Sequence, residues 1–472
     1  MKSIILNSKL HIVLAVLMYI LAPRQYDYWF CVCLCVLFLI MAIKSVIFEF
    51  ESKNYLSFNL IFMLSLFLCT FIVPIFLYPL GYYLFAGYDQ YVNVCTSLVV
   101  LATSVYNLGW QFGYNKIVSK QAPDFLKDNY IFPFPNSVIK LLNIISVFSI
   151  LYYFITFGQT INAGLDNSDL GAAAYTTILQ TVLTLSIIVN TVSDVTVEKK
   201  LRTFVKNHLI ISICFGIGII LPIIIGDRTM PIYLLSVFAA SYILLYKKIK
   251  LSRILLGASV VALLMFAIGQ TRNSDNALKY VGASGAANTI TEALTNTEDM
   301  TETFQDFLPA SNCLYLFKNW RETHNGELFY PSKIFILPFS PIPYLPTFLT
   351  SSFYGKSSLN EILSADLSTG WYKNVVANLN GGIGTHVVGD IYVSWGLLGV
   401  IVLFFFFGYF IACGQLLVRR NIYWCVAYIT YIGQAMYIAR GTIYFCYRHF
   451  VLQIFLLLVI CSLCGYKIVS NK

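Results

Sequence analysis

Long apolar runs, repeated along the whole chain, are the feature that most constrains its fold. A helix needs about 20 apolar residues to cross the hydrocarbon core of a bilayer. Runs of that kind predict about twelve spans, with boundaries at 4–22, 28–48, 56–78, 91–112, 136–157, 173–193, 207–225, 230–246, 253–269, 390–416, 421–438 and 447–466. We therefore expect an all-α polytopic membrane protein, with nine transmembrane helices in 1–269 and three in 390–472.

Composition and charge support this class and set a topology. The chain is 58% hydrophobic and only 11% charged, whereas a soluble domain carries about 25% charged residues. Lysine and arginine concentrate in alternate loops, which places both termini in the cytoplasm by the positive-inside rule. The net charge of +9 then reflects topology, and we expect no nucleic-acid partner. Most cysteines lie in apolar runs without metal-ligand spacing, so neither a metal site nor another cofactor is predicted.

One segment, 270–389, contains no clean span and is predicted to be a long periplasmic loop between the ninth and tenth helices. Its apolar stretch IFILPFSPIPYLPTFLTSSFYG is interrupted by four prolines, which exclude a regular spanning helix. We predict an interfacial or re-entrant segment there. Long loops without regular structure are usually functional or disordered, and the aromatic content argues against disorder. Binding or chemistry is therefore expected on the outward face.

Arginines recur at the predicted outward ends of spans. A guanidinium is a planar, permanently charged fork of donors that suits phosphate or carboxylate. Several on one face predict an anion site, and a lipid-linked pyrophosphate lies at that depth. The alternative is that each arginine lies at the membrane interface, or that Arg228 pairs with its neighbour Asp227. The candidates are Arg228, Arg272, Arg321, Arg440 and Arg448.

A candidate base lies in NLNGGIGTHVVGDIYVSWGLLGV, residues 378–400. His386 and Asp390 are spaced i and i+4, so they are predicted to share one helix face. A buried carboxylate there suits general-base catalysis. The alternatives are that the two side chains satisfy each other, or that Asp390 pairs with an arginine. His324 in RETHNGE is a weaker base candidate, and loop aromatics such as Tyr330 are candidates for stacking on sugar rings or for packing the loop.

Three segments together resemble the O-antigen polysaccharide polymerase (Wzy) family of bacterial inner membranes. They are IIIGDRTMPIYLL, with its Gly-x-Arg hairpin; NGGIGTHVVGDIYVSWGLLGV, a glycine-rich run leading to an acidic residue; and ARGTIYFCYRHF, an Arg-Gly entry to the last helix. The plan of many helices with one late outward loop is similar over nearly the whole chain. Asp390 stands where the family more often has glutamate, which shortens the reach of the carboxylate.

The resemblance implies a reaction. Such enzymes join oligosaccharide repeat units carried on undecaprenyl pyrophosphate, at the periplasmic face of the inner membrane. It implies a metal-independent glycosyltransferase, with arginines stabilising the pyrophosphate leaving group and Asp390 or a histidine as base. Expected partners are the lipid-linked oligosaccharide, membrane lipid and a chain-length regulator. Two alternatives stay open, an O-antigen ligase with the same donor and a flippase or transporter, although no internal repeat typical of transporters is found.

Overall fold

The structure is a computed structural model, and every regular element in its described residues is helical. This confirms the predicted all-α class. The described residues are 2–51, 54–80, 88–119, 134–161, 170–194, 200–225, 229–246, 249–254, 256, 257, 259, 308–339, 344–375 and 384–468.

The described helices follow one another along both predicted transmembrane blocks. Their bounds are α1 Lys2–Ile20, α2 Tyr28–Glu51, α3 Phe58–Phe71, α4 Asp89–Val118, α5 Asn136–Ile161, α6 Leu170–Ser193, α7 Leu201–Asn207, α8 Leu209–Ile225, α9 Thr229–Ser241, α10 Leu308–Thr323, α11 Lys333–Ile336, α12 Leu345–Tyr354, α13 Ser364–Val375, α14 Val387–Leu417, α15 Ile422–Ile438 and α16 Phe445–Leu463. Helices α3 and α9 continue into π-helical turns, over Ile72–Leu77 and Tyr242–Tyr246.

Seven helices in the described part of the chain are long and apolar enough to cross a membrane. The bent pair Leu201–Asn207 and Leu209–Ile223, with an angle of 103°, would make an eighth if it forms one span. The predicted span 253–269 lies largely outside the described residues. Twelve spans and the orientation of the termini therefore stay predictions. The seven are Tyr28–Glu51, Phe58–Leu77, Asp89–Val118, Asn136–Ile155, Thr176–Ser193, Thr229–Tyr246 and Val387–Leu417.

The predicted loop 270–389 is not irregular where the structure describes it, because it forms α10, α11, α12 and α13. Helix α10 packs against the start of α14 so closely that a Cβ on Gly389 would lie 2.7 Å from the Phe317 ring. In its described residues, the proline-rich stretch forms short helices. Pro338 lies in a 3₁₀ turn and Pro346 in the first turn of α12, where a missing N–H costs little.

Helices α4 and α14 form the most extensive helix contact in the described residues. Glycines let their backbones touch: a Cβ on Gly109 would lie 1.9 Å from the Phe405 carbonyl oxygen, and one on Gly408 would lie 2.0 Å from the Tyr106 carbonyl oxygen. Gly109 and Gly113 are four residues apart on α4, the small-xxx-small spacing that allows close approach of membrane helices. This contact fixes α14, which carries Asp390, in the bundle.

Helix α14 breaks at Gly396, whose φ of 66° and ψ of −165° are not helical. The Phe329 amide, from the segment after α10, donates to the Val393 carbonyl next to this break at 2.9 Å. The guanidinium of Arg321 lies beside Gly396, 3.1 Å from where a Cβ would stand. Beyond the break, α14 runs for about 20 residues, roughly 30 Å, which matches the hydrocarbon thickness of a bilayer. Asp390 lies before this stretch, on the other side of the break.

Replacing Gly109 or Gly408 by alanine should destabilise the protein by about 1–3 kcal/mol, because the added methyl group overlaps a backbone carbonyl of the facing helix. Thermal unfolding of the purified protein in detergent measures the change. Gly216→Ala on α8 is the matched control, since a Cβ there meets nothing within 4 Å. Unfolding of Gly109→Ala at the same temperature as Gly216→Ala would contradict the close packing of α4 on α14.

Candidate functional site

The predicted site residues fall into three groups. Asp227, Arg228 and Arg272 lie outside the described residues. Asp390, His386, Arg440 and Arg448 lie near the start of α14 and on the connection from α15 into α16. Arg321, His324 and Tyr330 lie at the end of α10 and in the segment after it.

Asp390 is buried, with 2% of its surface exposed. Its Oδ1 accepts from the Lys333 ammonium group at 2.6 Å and from the Ser364 hydroxyl at 2.6 Å. Lys333 is the first residue of α11 and Ser364 the first of α13, so one carboxylate oxygen joins two short helices of the predicted loop to α14. Among the described residues, no side-chain hydrogen bond or ion pair joins Asp390 to His386 or to an arginine, so pairing with His386 is wrong. Arg228 and Arg272 lie outside the described residues, so pairing of Asp390 with either of them stays a prediction.

His386 does not share a helix face with Asp390, as its spacing predicted, because its backbone is extended at φ −122° and ψ 127°. It is the N-cap of α14: its Nδ1 accepts from the Val388 amide at 3.2 Å, and its Nε2 lies 3.4 Å from the Thr70 hydroxyl. Complete burial lowers the pKa of His386 to about 3. The ring is therefore neutral at ordinary pH and caps the helix, as a serine or asparagine commonly does.

Tyr444, just before α16, lies within range of the charge of the Asp390 carboxylate. It is 7% exposed, and its hydroxyl has no hydrogen-bond partner among the described residues. Burial and the negative charge of Asp390 both raise the pKa of Tyr444. We call four residues the Asp390 cluster: Asp390, its partners Lys333 and Ser364, and Tyr444.

The glycine-rich lead into α14 runs beside the connection between α15 and α16. The Thr385 amide donates to the Arg440 carbonyl at 3.2 Å, and the Val387 amide donates to the Ala439 carbonyl at 3.1 Å. Gly384 has a φ of +76° and a Cβ there would lie 3.1 Å from the Arg440 carbonyl oxygen. This position therefore favours glycine both for its backbone conformation and for the close approach.

The arginines do not share one role. Arg321 stacks on the Tyr392 ring at 4.8 Å and donates to the Gly326 carbonyl at 2.9 Å, so it holds the break in α14. The positive charge of the Arg440 guanidinium lowers the pKa of the buried Cys313 thiol. Burial raises the pKa of that thiol to about 12, and a hydrogen bond with Ser368 and the charge of Arg440 each oppose this rise.

Arg448 lies within α16, and its Nη2 donates to the Thr177 hydroxyl of α6 at 2.7 Å. Its Nε is buried without a hydrogen-bond partner among the described residues, and no carboxylate of those residues lies within ion-pair distance. A cation in an apolar helix whose described partner is a neutral hydroxyl is costly to keep. Arg448 is thus suited to bind an anion.

His324 and Tyr330 are engaged locally. His324 is exposed, its ring stacks on Trp320 at 4.3 Å, and its Nδ1 lies 2.8 Å from the Trp320 carbonyl oxygen. Tyr330 has a φ of 42°, unusual for a residue with a side chain, and its ring packs edge-on against Phe329 and Tyr354. These contacts account for both side chains by packing within the loop.

Removing one charge of the Lys333–Asp390 pair should destabilise the protein by about 3–5 kcal/mol, because the remaining charge is buried without its partner. Lys333→Met or Asp390→Asn alone should therefore lower the unfolding midpoint more than the double variant does. A double-mutant cycle in detergent measures this coupling. The exposed pair Lys356–Glu361, 3.9 Å apart, is the control and should show little coupling. Additive effects at Lys333 and Asp390 would contradict a buried pair.

The acid stability of the protein should depend on His386. Its folded pKa of about 3 lies below the ordinary value of 6.5, so only the unfolded chain binds the proton as the pH falls between these values. The stabilisation is complete above about pH 6.5 and is lost towards pH 3, by up to about 1.4 kcal/mol per pH unit. His386→Asn keeps a capping side chain and should lose less stability between pH 7 and pH 4. An identical pH dependence in both proteins would contradict burial of a neutral ring.

Comparison with protein-family models, curated proteins and solved structures finds no match for this chain. The function is therefore inferred from the three segments that resemble the polymerase family and from their positions in the fold. The described residues of the three segments are in contact. The second segment contacts the third through Val387 and Ala439 at 3.1 Å, and the first contacts the third through the rings of Tyr233 and His449, with centroids 5.9 Å apart.

Proposed function

We propose that this chain is a membrane glycosyltransferase of the polymerase type, which joins oligosaccharide repeat units carried on undecaprenyl pyrophosphate at the periplasmic face of a bacterial inner membrane. One observation carries the proposal: the three segments that resemble the polymerase family, far apart in sequence, are in contact in the fold. These segments supply a buried carboxylate, a tyrosine hydroxyl without a hydrogen-bond partner among the described residues, and an arginine suited to an anion. Glycosyl transfer from a lipid diphosphate needs groups of these kinds.

The leaving group sets the demand for cations. As the bond from the anomeric carbon to the diphosphate oxygen breaks, negative charge develops on that oxygen, and positioned cations lower the barrier. Arg448 is the described cation that fits, because its described partner, Thr177, carries no charge. Arg228 immediately precedes α9, whose Tyr233 contacts His449, so we assign it the same role. Arg440 lies on the adjoining connection.

The acceptor needs a base. We assign this role to Asp390 rather than to His386, because both ring nitrogens of His386 are engaged inside the protein: Nδ1 caps α14 and Nε2 faces the Thr70 hydroxyl. Asp390 would take the proton of the acceptor hydroxyl, the acceptor oxygen would bond to the anomeric carbon, and the lipid diphosphate would leave with the bonding electrons. The ion pair with Lys333 must break before Asp390 can take the proton. We therefore propose that α11 and α13, which carry Lys333 and Ser364, cover the carboxylate until substrate displaces them.

The ligase uses the same donor with a different acceptor, and the transporter forms no glycosidic bond. Expression in a strain that lacks its polymerase separates the polymerase from the other two, with the glycan ladder on a gel as the readout. If expression of the protein converts single-repeat glycan into a ladder of longer chains, the result supports the polymerase. Glycan that stays at a single repeat, while the protein is present in the membrane, would overturn the proposal.

The double variant Lys333→Met/Asp390→Asn should be inserted in the membrane but unable to restore the ladder. It removes both buried charges together, which limits the loss of stability, and it removes the base. Lys333→Met alone is less informative because it leaves the carboxylate without its ion pair. Lys356→Ala, on an exposed side chain, should restore the ladder fully. A full ladder from the double variant would move the base to another residue and leave Asp390 with a structural role.

A further inference from the structure

A row of polar side chains runs along α16 and the helix α6 that packs against it. On α16, Arg448 contacts Thr177, the His449 ring lies against Tyr233, and the Gln453 Oε1 accepts from the Thr430 hydroxyl at 2.5 Å. On α6, Thr177, Thr181 and Thr184 share one face by their spacing, and the Thr184 hydroxyl donates to the Tyr233 hydroxyl at 3.1 Å. We define the polar seam as six residues, Thr177, Thr181, Thr184, Arg448, His449 and Gln453.

Four side-chain atoms of the polar seam are buried without a hydrogen-bond partner among the described residues. They are Thr181 Oγ1, Arg448 Nε, His449 Nδ1 and Gln453 Nε2. Thr181, His449 and Gln453 are 4%, 3% and 0% exposed. A buried polar group without a partner costs free energy in each case, and these four atoms lie within a few turns of two facing helices.

The chemistry of these four atoms specifies the ligand. The Arg448 Nε and the Gln453 amide nitrogen are obligatory donors, while the Thr181 hydroxyl and the His449 ring nitrogen donate or accept. None is an obligatory acceptor, and the six seam residues include a cation but no carboxylate. A metal cation or ammonium group is therefore disfavoured, and an acceptor-rich anion is favoured.

We propose that the polar seam binds the phosphate oxygens of an isoprenoid-linked diphosphate inside the bundle, with Thr181, His449 and Gln453 as ligand-binding residues beside Arg448. The choice of this diphosphate over another phosphate rests on the proposed function. The seam extends from Thr177 to Thr184, which is roughly 10 Å along α6, so it presents donors to more than one phosphate group. Tyr444 lies one helical turn before Arg448, which puts the seam next to the Asp390 cluster.

The test is binding of geranyl diphosphate to the purified full-length protein in detergent, followed as a shift of the unfolding temperature over a ligand titration. Gln453→Glu replaces a donor with a carboxylate of the same shape and should weaken binding about tenfold or more. Gln90 is an exposed glutamine at the start of α4. The Gln90→Glu variant carries the same chemical change and should bind geranyl diphosphate like the unmodified protein. Thr181→Val is the second variant and should also weaken binding. Equal affinity in the unmodified protein and both seam variants would overturn the site.

Control ligands identify the source of the phosphate. Geraniol should give no shift, and inorganic diphosphate should give a smaller one that is also reduced in Gln453→Glu. Phosphatidylglycerol competing as well as geranyl diphosphate, with the same sensitivity to Gln453→Glu, would overturn the isoprenoid diphosphate as the preferred occupant. If the protein binds geranyl diphosphate but cannot restore the glycan ladder, the proposed function is overturned and the binding site is not. If the protein restores the ladder but both seam variants bind with unchanged affinity, the binding site is overturned and the proposed function is not.

Discussion

The ion pair between Lys333 and Asp390 is the interaction on which the packing around the start of α14 depends. Its two charges are 2.6 Å apart and nearly completely buried, so each needs the other to offset the cost of leaving water. The Ser364 hydroxyl shares the same carboxylate oxygen. Two short helices of the predicted loop are thereby fixed over the start of α14, and the candidate base is covered by the same contacts that position it.

Helix α14 meets two structural demands at different positions along its length. Near its middle, Gly408 lets it touch the backbone of α4, which fixes it in the bundle. Nearer its start, Gly396 breaks the helix, and the segment after α10 donates a hydrogen bond next to that break. The break separates a part long enough to span a bilayer from the part that carries Asp390. A carboxylate can thus lie at the end of a very apolar helix without lying at the bilayer centre, where its cost would be highest.

The parts of this fold that depend on local composition could be predicted, and those that depend on long-range contacts could not. Apolar runs identify the helical class because each run is a local property of the sequence. A search for spans overlooks α10, since its apolar face is buried on protein and is too short to cross lipid. Lys333 gives no local signal as the partner of Asp390, from which it is 57 residues distant. The spacing of Gly109 and Gly113 was a readable signal of close helix packing. His386 precedes its helix by one residue, and spacing alone does not reveal such a boundary.

The most direct test of the proposed chemistry is a reaction in vesicles that contain only the purified protein and a synthetic undecaprenyl-diphosphate-linked repeat unit, with a chelator present. Product length and free undecaprenyl diphosphate are measured together by mass spectrometry. We predict one undecaprenyl diphosphate released for each glycosidic bond formed, without added metal. Repeat units that move across the bilayer without being joined, and with no diphosphate released, would contradict glycosyl transfer and indicate a transporter.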